Sequence, residues 1–342
     1  MKPALAAALL GAILVAIPED QGRPVLPRDP HDTLVVTPDR ALVPKSPVRT
    51  TLPGQVSFAV KFKEEVSPLP LIGMFVMPRE QVALEAVLTD STARYSAQAA
   101  AGKLTRLGPN RWRWTAPQEK GLYPVWVRDS ASGETVTLNA FVLVPMPTAA
   151  TIGEFMVGRY EGRPLRGDPT YARPAGFVEV TEENRGTLVA PHFTIGQFVS
   201  KQSGGYPKYL VLRERLLLKL EMLLEELRSA GVPAATFRVM SGYRTPFYNR
   251  SIGNETRYSR HVYGDAADIY VDDDGDGVMD DLDGDGETTL GDARALGAVI
   301  EGLSEKSWYQ PFEGGLGLYQ GNRAHGPFVH VDVRGHPARW GP

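Results

Sequence analysis

Three residues able to bind one metal ion lie in two short stretches near the C-terminal end of this 342-residue chain. His261 and Asp268 are seven residues apart in the first stretch, and His330 lies in the second. Small residues separate the first pair, so two ligands can approach one point without other side chains filling the space: Gly264, Ala266 and Ala267.

The second stretch, 328–333, alternates apolar residues with His330 and Asp332, which predicts a β-strand. Successive side chains of a strand point to opposite faces, so His330 and Asp332 share one face. Two imidazoles and one carboxylate form a ligand set suited to zinc, with the fourth position left for water. The alternative is that His261 and His330 are structural, hydrogen-bonded histidines.

The motif Ser259-x-His261-x-x-Gly264-x-Ala266-x-Asp268 resembles the signature of the zinc D-alanyl-D-alanine carboxypeptidase family. That family includes the vancomycin-resistance D-Ala-D-Ala dipeptidases and the murein endopeptidases. Residues 241–246, S-G-Y-R-T-P, resemble its upstream motif, and residues 328–332, F-V-H-V-D, resemble its last ligand strand. The likeness extends over 191–342. It implies an α+β fold with an antiparallel sheet and flanking helices, similar to hedgehog and D,D-peptidase domains, and peptidoglycan peptides as partners.

The resemblance also implies roles around the substrate. Arg244, always charged and able to donate two parallel hydrogen bonds, is predicted to hold a developing oxyanion or a substrate carboxylate. Ser259 resembles the family serine that helps position the substrate. Residues 314–319 are predicted to form the cleft wall, with Tyr319 either packing or contacting the substrate.

The general base departs from the family pattern. Many members have a glutamate three residues before the last histidine, and this chain has Pro327 there. Asp332 is predicted to act instead, either as the base or as a hydrogen-bond partner of His330. His325 is a second candidate for the base. If neither accepts a proton, the site binds metal with little turnover.

An acidic insert, 272–292, follows the first ligand stretch. Its spacing fits the oxygen ligands of a calcium loop and resembles the aspartate loops of thrombospondin type 3 repeats and dockerins. Two overlapping registers share one aspartate, so two complete EF-hand loops are excluded. Without a bidentate glutamate at position 12, binding on the order of 0.1–1 mM is expected. The alternative is a solvated acidic loop. The predicted calcium ligands are Asp272, Asp274, Asp276, Asp280, Asp281, Asp283 and Asp285.

The N-terminal sequence predicts that the protein is exported from the cytoplasm. A lysine and an apolar run from 4 to 17 predict a signal peptide or N-terminal anchor over 1–20, shorter than the ~20 apolar residues that span a bilayer. The absence of cysteine excludes disulfides and thiolate zinc ligands. Export without thiols suits the periplasm, the cell envelope or the extracellular space, with membrane anchoring through the N-terminus alone. A net charge of -3 gives no reason to expect nucleic acid.

The rest of the chain divides into four predicted parts. Residues 21–53 are a proline-rich linker, and 54–147 have the short strands of an all-β, immunoglobulin-like sandwich. Residues 148–205 are a connecting segment that wraps onto the zinc peptidase domain at 206–342. Within that domain an amphipathic helix is predicted over 211–230, ending at Gly231. Its polar face, opposite the apolar stripe, is predicted to carry Arg213, Glu214, Glu221, Glu225 and Arg228.

These features predict an exported zinc metallopeptidase that hydrolyses peptide bonds in peptidoglycan stem peptides or cross-links, of the D,D-carboxypeptidase or endopeptidase type. Two alternatives come from other classes of protein. One is a non-catalytic, metal-braced module that binds the cell wall. The other is an adhesion unit formed by the β-domain and the acidic insert, with the peptidase fold as a passenger.

Overall fold

The computed structural model describes residues 56–87, 94–254 and 256–342. The predicted signal peptide or anchor at 1–20 and the predicted linker at 21–53 lie outside these residues. Across the described ranges, no helix combines the length and the apolar character that crossing a membrane requires. The fold is a mixed α/β arrangement with several sheets and few helices.

Among the described residues of the N-terminal part, nine strands form two sheets. The first has the order β2-β1-β4-β7-β6, and the second has the order β3-β9-β8-β5. Neighbouring strands are antiparallel except for the parallel pair β3 and β9. The strands are β1 Ala59–Phe62, β2 Glu65–Ser67, β3 Leu71–Val76, β4 Gln81–Val87, β5 Tyr95–Ala99, β6 Lys103–Gly108, β7 Arg111–Thr115, β8 Gly121–Asp129 and β9 Thr135–Val142.

The alternating sequences of these strands produce the core between the two sheets. In β4, Val82 and Leu84 are buried while Gln81 is exposed, as the period of two requires. Trp114 of β7 is fully buried, and its Nε1 donates to the carbonyl oxygen of Ala101 at 2.9 Å. Buried side chains from both sheets belong to one hydrophobic cluster.

The middle of the chain consists of short strands and single turns. It contacts both neighbouring regions, because Asn139 Nδ2 of β9 donates to Leu188 O at 2.9 Å and the backbone N–H of Tyr243 donates to Phe198 O at 2.9 Å. Its strands are β10 Val144–Pro145, β11 Thr151–Ile152, β12 Phe155–Met156, β13 Gly176–Val180, β14 Leu188–Ala190, β15 Phe193–Thr194 and β16 Lys208–Leu210. Its 3-10 helices are Leu165–Gly167, Pro169–Tyr171 and Ile195–Phe198.

The C-terminal part is a five-stranded sheet with helices around it. Its order is β17-β18-β20-β19-β21, antiparallel except for the parallel edge pair β19 and β21. The strands are β17 Phe237–Ser241, β18 Ala266–Val271, β19 Gly315–Tyr319, β20 Phe328–Asp332 and β21 Ala338–Trp340. The helices are α1 Glu214–Ser229, α2 Pro246–Ser251 and α3 Leu290–Ser304, with 3-10 helices Arg260–Tyr263 and Ser307–Phe312.

Helix α1 lies within the predicted 211–230 segment, and Gly231 follows it with a φ of 88°. Two glutamates expected on its solvent face are buried instead. Glu214 Oε1 accepts from Lys63 Nζ at 2.6 Å and from the Phe75 N–H at 3.0 Å. Glu221 accepts from the N–H of His192 at 2.8 Å. These carboxylates are buried because the N-terminal strands and the middle of the chain pack onto the polar face of the helix.

Candidate metal centre

Strand pairing brings His330 and Asp268 together. In the antiparallel register of β18 and β20, Asp268 lies directly opposite His330. His261 comes from the 3-10 helix before β18, which ends at Gly264 with a φ of 73°. A Cβ on Gly264 would lie 2.3 Å from Val211 O, so this sharp return of the chain needs glycine.

The three side chains converge on one point, which we call the buried centre. His330 Nδ1 lies 2.8 Å from Asp268 Oδ1 and 3.1 Å from His261 Nε2, and His261 Nε2 lies 3.2 Å from Asp268 Oδ1. A tetrahedral zinc ion with bonds of about 2.0–2.1 Å separates its ligand atoms by about 3.3 Å. The triangle therefore has nearly the size of one face of such a site.

Hydrogen bonds orient both imidazoles toward this point. His261 Nδ1 lies 2.7 Å from the carbonyl oxygen of Gly242, which can only accept, so Nδ1 carries the proton. His330 Nε2 lies 3.3 Å from a carboxylate oxygen of Asp332, which fixes the other tautomer in the same way. Nε2 of His261, Nδ1 of His330 and Oδ1 of Asp268 then face one another at 2.8–3.2 Å. A bound cation satisfies all three, so these residues fit a metal ion.

The electrostatics of the buried centre favour the metal-binding forms of His261 and Asp268. Burial lowers the pKa of His261 to about 4, with Arg244 adding to the effect, so this imidazole is neutral at pH 7. Burial alone would raise the pKa of Asp268, but its contacts with His261, the guanidinium of Arg244 and His330 hold that pKa well below its usual range. Burial alone would lower the pKa of His330, but its hydrogen bonds with Asp268 and Asp332 outweigh that effect and raise the pKa.

Arg244 lies beside the buried centre. Its guanidinium donates to Asp268 Oδ2 at 2.5 Å and to Ser241 Oγ at 2.8 Å, and its backbone N–H donates to His261 O at 3.1 Å. Ser259 is buried just ahead of the 3-10 helix that carries His261. The structure thus brings Arg244 into direct contact with Asp268 and places Ser259 two residues before His261.

Tyr319 is held by packing at the end of β19. Its ring stacks on Phe328 with a centroid separation of 4.4 Å, and its hydroxyl accepts from Trp340 Nε1 at 2.7 Å. Trp340 in turn lies 5.0 Å from the His330 ring. Of the two roles predicted for Tyr319, these contacts match the packing role.

Asp332 is fully buried and faces away from the point where the donor atoms meet. Its carboxylate accepts from the Nε and Nη2 of Arg334 and from the N–H of Gly315, and it contacts only the Nε2 of His330, whereas Nδ1 faces the metal position. Burial alone would raise its pKa, but Arg334 and His330 hold the pKa well below the usual range. Of the two roles predicted for Asp332, these contacts match that of a hydrogen-bond partner of His330, because the carboxylate lies beside Nε2 and not beside the converging Nδ1.

His325 lies in the loop before β20 and is only partly buried. Its Nδ1 is 2.8 Å from Gly326 O and its Nε2 is 2.8 Å from Asn322 Nδ2. A carbonyl accepts and an amide nitrogen donates, so both ring nitrogens of His325 have hydrogen-bond partners.

Two lysines near the buried centre were not predicted. Burial lowers the pKa of Lys201, with the carboxylate of Asp268 opposing the shift and the guanidinium of Arg244 adding to it. Lys219 of α1 is buried and donates to Asp332 O at 2.7 Å and to Phe312 O at 3.0 Å. No motif marks either lysine, since Lys201 lies in an irregular segment and Lys219 looks like any lysine of an amphipathic helix.

The predicted calcium ligands form two groups in the structure. The first aspartate cluster is Asp272, Asp274 and Asp276, and the second is Asp281, Asp283 and Asp285, each with oxygens within 4.8 Å of one another. Asp280 joins neither cluster, and its Oδ2 accepts from the N–H of Asp273 at 3.1 Å. Asp283, the aspartate shared by the two overlapping calcium-loop registers, therefore belongs to the second cluster.

Residues 191–282 match the sequence model of Peptidase M15. The match includes His261 and Asp268 and ends before His330. No curated protein and no solved structure gives a significant match to the chain. The region from 191 to 282, which supplies two of the three converging donor residues, is therefore similar to the Peptidase M15 family.

Proposed function

We propose that this protein is an exported zinc peptidase that hydrolyses peptide bonds in peptidoglycan stem peptides or cross-links. The observation that carries the proposal is the convergence of His261 Nε2, His330 Nδ1 and Asp268 Oδ1 within 3.2 Å of one another, in and beside a region that matches a peptidase family. Histidine nitrogens with a single carboxylate are typical of catalytic zinc sites that keep one position open. A zinc ion bound there would lower the pKa of a bound water to about 7 and polarise a carbonyl group.

The chain's own residues would bind and orient the peptide. Arg244 is fixed by Ser241 and Asp268, so its guanidinium presents a preorganised positive charge beside the metal position. Such a group stabilises an oxyanion or holds a terminal carboxylate without reorganising during the reaction. Lys201 adds a second positive charge near the same site.

His325 is the residue that we propose as the proton acceptor. Pro327 occupies the position where the related enzymes have a glutamate, and the carboxylate of Asp332 is occupied by Arg334, Gly315 and His330. His325 is partly buried and lies five residues before His330 on the same chain segment. Asp332 would then act by holding the tautomer of His330, as partners of metal-bound histidines do.

The test is hydrolysis of purified muropeptides by the zinc-loaded protein, with products separated by chromatography. His261→Ala is expected to abolish product formation, whereas His336→Ala, at an exposed histidine outside the buried centre, is expected to leave it unchanged. Equal product from both variants would contradict a role for the buried centre in hydrolysis. Carboxypeptidase products and cross-link cleavage products differ in mass, so the same chromatograms identify the cleaved bond.

One observation favours a second function, a metal-braced module that binds cell-wall peptides without cleaving them. The family glutamate is replaced by Pro327, so turnover depends on His325. His325→Ala separates the two functions. If the unmutated protein binds muropeptides and yields no product from any of them, the binding module is correct. If it yields product and His325→Ala lowers kcat by about 10²–10⁴-fold with little change in KM, the peptidase is correct.

The N-terminal region would be a separate immunoglobulin-like domain over 54–147, joined by the segment 148–205 to a peptidase domain over 206–342. The strand order supports this, because β1-β4-β7-β6 and β5-β8-β9 follow the A-B-E-D and C-F-G orders of a constant-type immunoglobulin sandwich, with β2 and β3 inserted after the first strand. Export through the N-terminal 20 residues would bring the enzyme to a peptidoglycan substrate. Cell fractionation with and without residues 1–20 tests that step, and retention in the cytoplasm of the full-length protein would contradict it.

A further inference from the structure

The first aspartate cluster begins where β18 ends. Asp272 is the first residue after the strand, and Asp274 and Asp276 follow in a loop that returns to the strand when the N–H of Asp280 donates to Val271 O at 2.9 Å. Gly275 and Gly277 have φ values of 79° and 86°, which permit the tight turns between the carboxylates. The spacing of the three aspartates therefore places their oxygens on the inside of one closed loop.

Asp272 differs from an ordinary surface aspartate. Its side chain is only 1% exposed, and Oδ2 accepts from Arg238 Nε at 2.9 Å. Its other oxygen, Oδ1, is buried and has no hydrogen-bond partner among the residues that the structure describes. A buried carboxylate oxygen without a partner costs free energy, and buried polar groups in folded proteins are almost always paired. The geometry therefore calls for a positively charged partner at Oδ1.

A divalent cation of the calcium type fits this position better than a proton donor from the chain. The three carboxylates lie within 4.8 Å of one another and supply only oxygen, the ligand atom that hard cations prefer. Carboxylates at this separation repel one another unless a cation lies between them. Flexible loops with unequal ligands suit Ca²⁺, whereas Mg²⁺ demands a nearly ideal octahedron and keeps more of its water.

We infer that the loop formed by Asp272, Asp274 and Asp276 binds Ca²⁺, with Asp272 Oδ1 as the buried ligand, and that the ion stabilises the end of β18. The inference does not depend on the peptidase proposal, because none of these oxygens belongs to the buried centre. The ion neutralises the cluster and satisfies the orphaned oxygen at once.

The loop also contacts the segment that leads into β20. Met279 is buried beneath it, and Val278 lies so close to Gly326 that a Cβ on that glycine would come within 2.9 Å of it. Gly326 precedes β20, which carries His330, while β18 carries Asp268. A cation in the loop would therefore steady the approaches to two of the three residues of the buried centre without taking part in chemistry.

The experiment is a calcium titration of the full-length, zinc-loaded protein, followed by thermal unfolding and by isothermal titration calorimetry. For a dissociation constant of about 0.1–1 mM, 10 mM Ca²⁺ is expected to raise Tm by on the order of 5 °C. Equal concentrations of Mg²⁺ are expected to raise Tm less. A Tm that does not change with Ca²⁺ would overturn the inference.

Two neighbouring substitutions supply a matched comparison. Asp272→Asn removes one charge from the cluster and is expected to weaken calcium binding by about tenfold or more. Asp273→Asn removes the same charge one residue away, keeps an oxygen to accept from the N–H of Ala235, and is expected to bind calcium like the unmutated protein. Equal calcium affinity in the two variants would overturn the assignment.

Two further measurements separate the site from a folding defect and from the buried centre. Asp276→Asn changes an exposed member of the cluster, so its loss of calcium binding supports the site even if Asp272→Asn unfolds, and its unchanged binding contradicts the site. The calcium-dependent rise in Tm is expected to persist in His261→Ala. Its disappearance there would assign the calcium effect to the buried centre instead.

Discussion

The buried centre and the first aspartate cluster both lie along β18, four residues apart, yet they are built in different ways. In the buried centre, His261 and His330 are 69 residues apart, and hydrogen bonds to their other nitrogens fix each ring. In the cluster, three aspartates come from five consecutive residues, and only Asp272 is buried. Mixed nitrogen and oxygen donors held rigidly by tertiary contacts suit zinc, whereas an all-oxygen loop suits a larger and more weakly bound cation.

The comparison makes the removal of a donor from the buried centre the most damaging change. His261→Ala is expected to weaken zinc binding by about 10²–10⁴-fold, since an apparent binding free energy of roughly 10–16 kcal/mol is shared by only three or four ligands. Competition with a coloured zinc chelator measures the affinity. Tight, stoichiometric zinc binding by the variant would show that the three donors do not act as one site.

Removing a partner of a donor should cost less than removing the donor. Asp332→Asn leaves the three donor atoms in place but replaces the carboxylate that orients His330, and is expected to weaken zinc binding by about 10–100-fold. Asp273→Asn, an equal charge change on the same sheet's acidic loop, serves as the control. If Asp332→Asn retains zinc affinity but loses all hydrolysis, Asp332 acts on the substrate or the water and not through His330.

The support beneath the buried centre is tested by Lys219→Met. The substitution leaves Asp332 O and Phe312 O without their donor, and is expected to lower the free energy of unfolding by about 1–3 kcal/mol whether or not calcium is present. Denaturant unfolding at pH 7 measures this. If calcium raises the free energy of unfolding equally in the variant and in the unmutated protein, Lys219 and the calcium loop stabilise the fold independently.

Lys219 also gives a pH dependence with a definite sign. Burial lowers the pKa of this ammonium group from 10.5 to about 8, so between these values the unfolded chain binds a proton that the folded chain does not. The contribution of Lys219 to stability therefore rises with pH from about 8 to 10.5. Lys219→Met should remove that rise from the pH profile of unfolding, and an unchanged profile would contradict the shift.

The smallest expected effect is the coupling between the two cation sites. Because the loop steadies the ends of β18 and the approach to β20 without supplying a donor, 10 mM Ca²⁺ is expected to raise zinc affinity by no more than about fivefold. Chelator competition with and without calcium measures it. If calcium instead raises zinc affinity about a hundredfold, the loop orders the zinc donors themselves, and the two sites are not structurally independent.

Much of this molecule could be predicted from local patterns. The helix at α1, the strand containing His330 and the C-terminal ligand motif follow from hydrophobic periodicity and residue spacing, both of which act over a few residues. The same patterns missed α2 and α3 and mistook Glu214 and Glu221 for solvent-facing residues. Periodicity describes one element at a time, so it cannot indicate which polar face another part of the chain will cover.

The sequence by itself determined the donor residues of the buried centre and the spacing of the aspartates, because each motif is set by neighbouring residues. Only the tertiary structure decided which nitrogen of each histidine faces the metal position, that Asp332 lies behind His330, and that one oxygen of Asp272 is buried without a partner. Those features depend on hydrogen bonds and packing between residues far apart in the chain. The free-energy cost of burying a polar atom depends on the hydrogen-bond partners and packing around it, and only the folded chain supplies those.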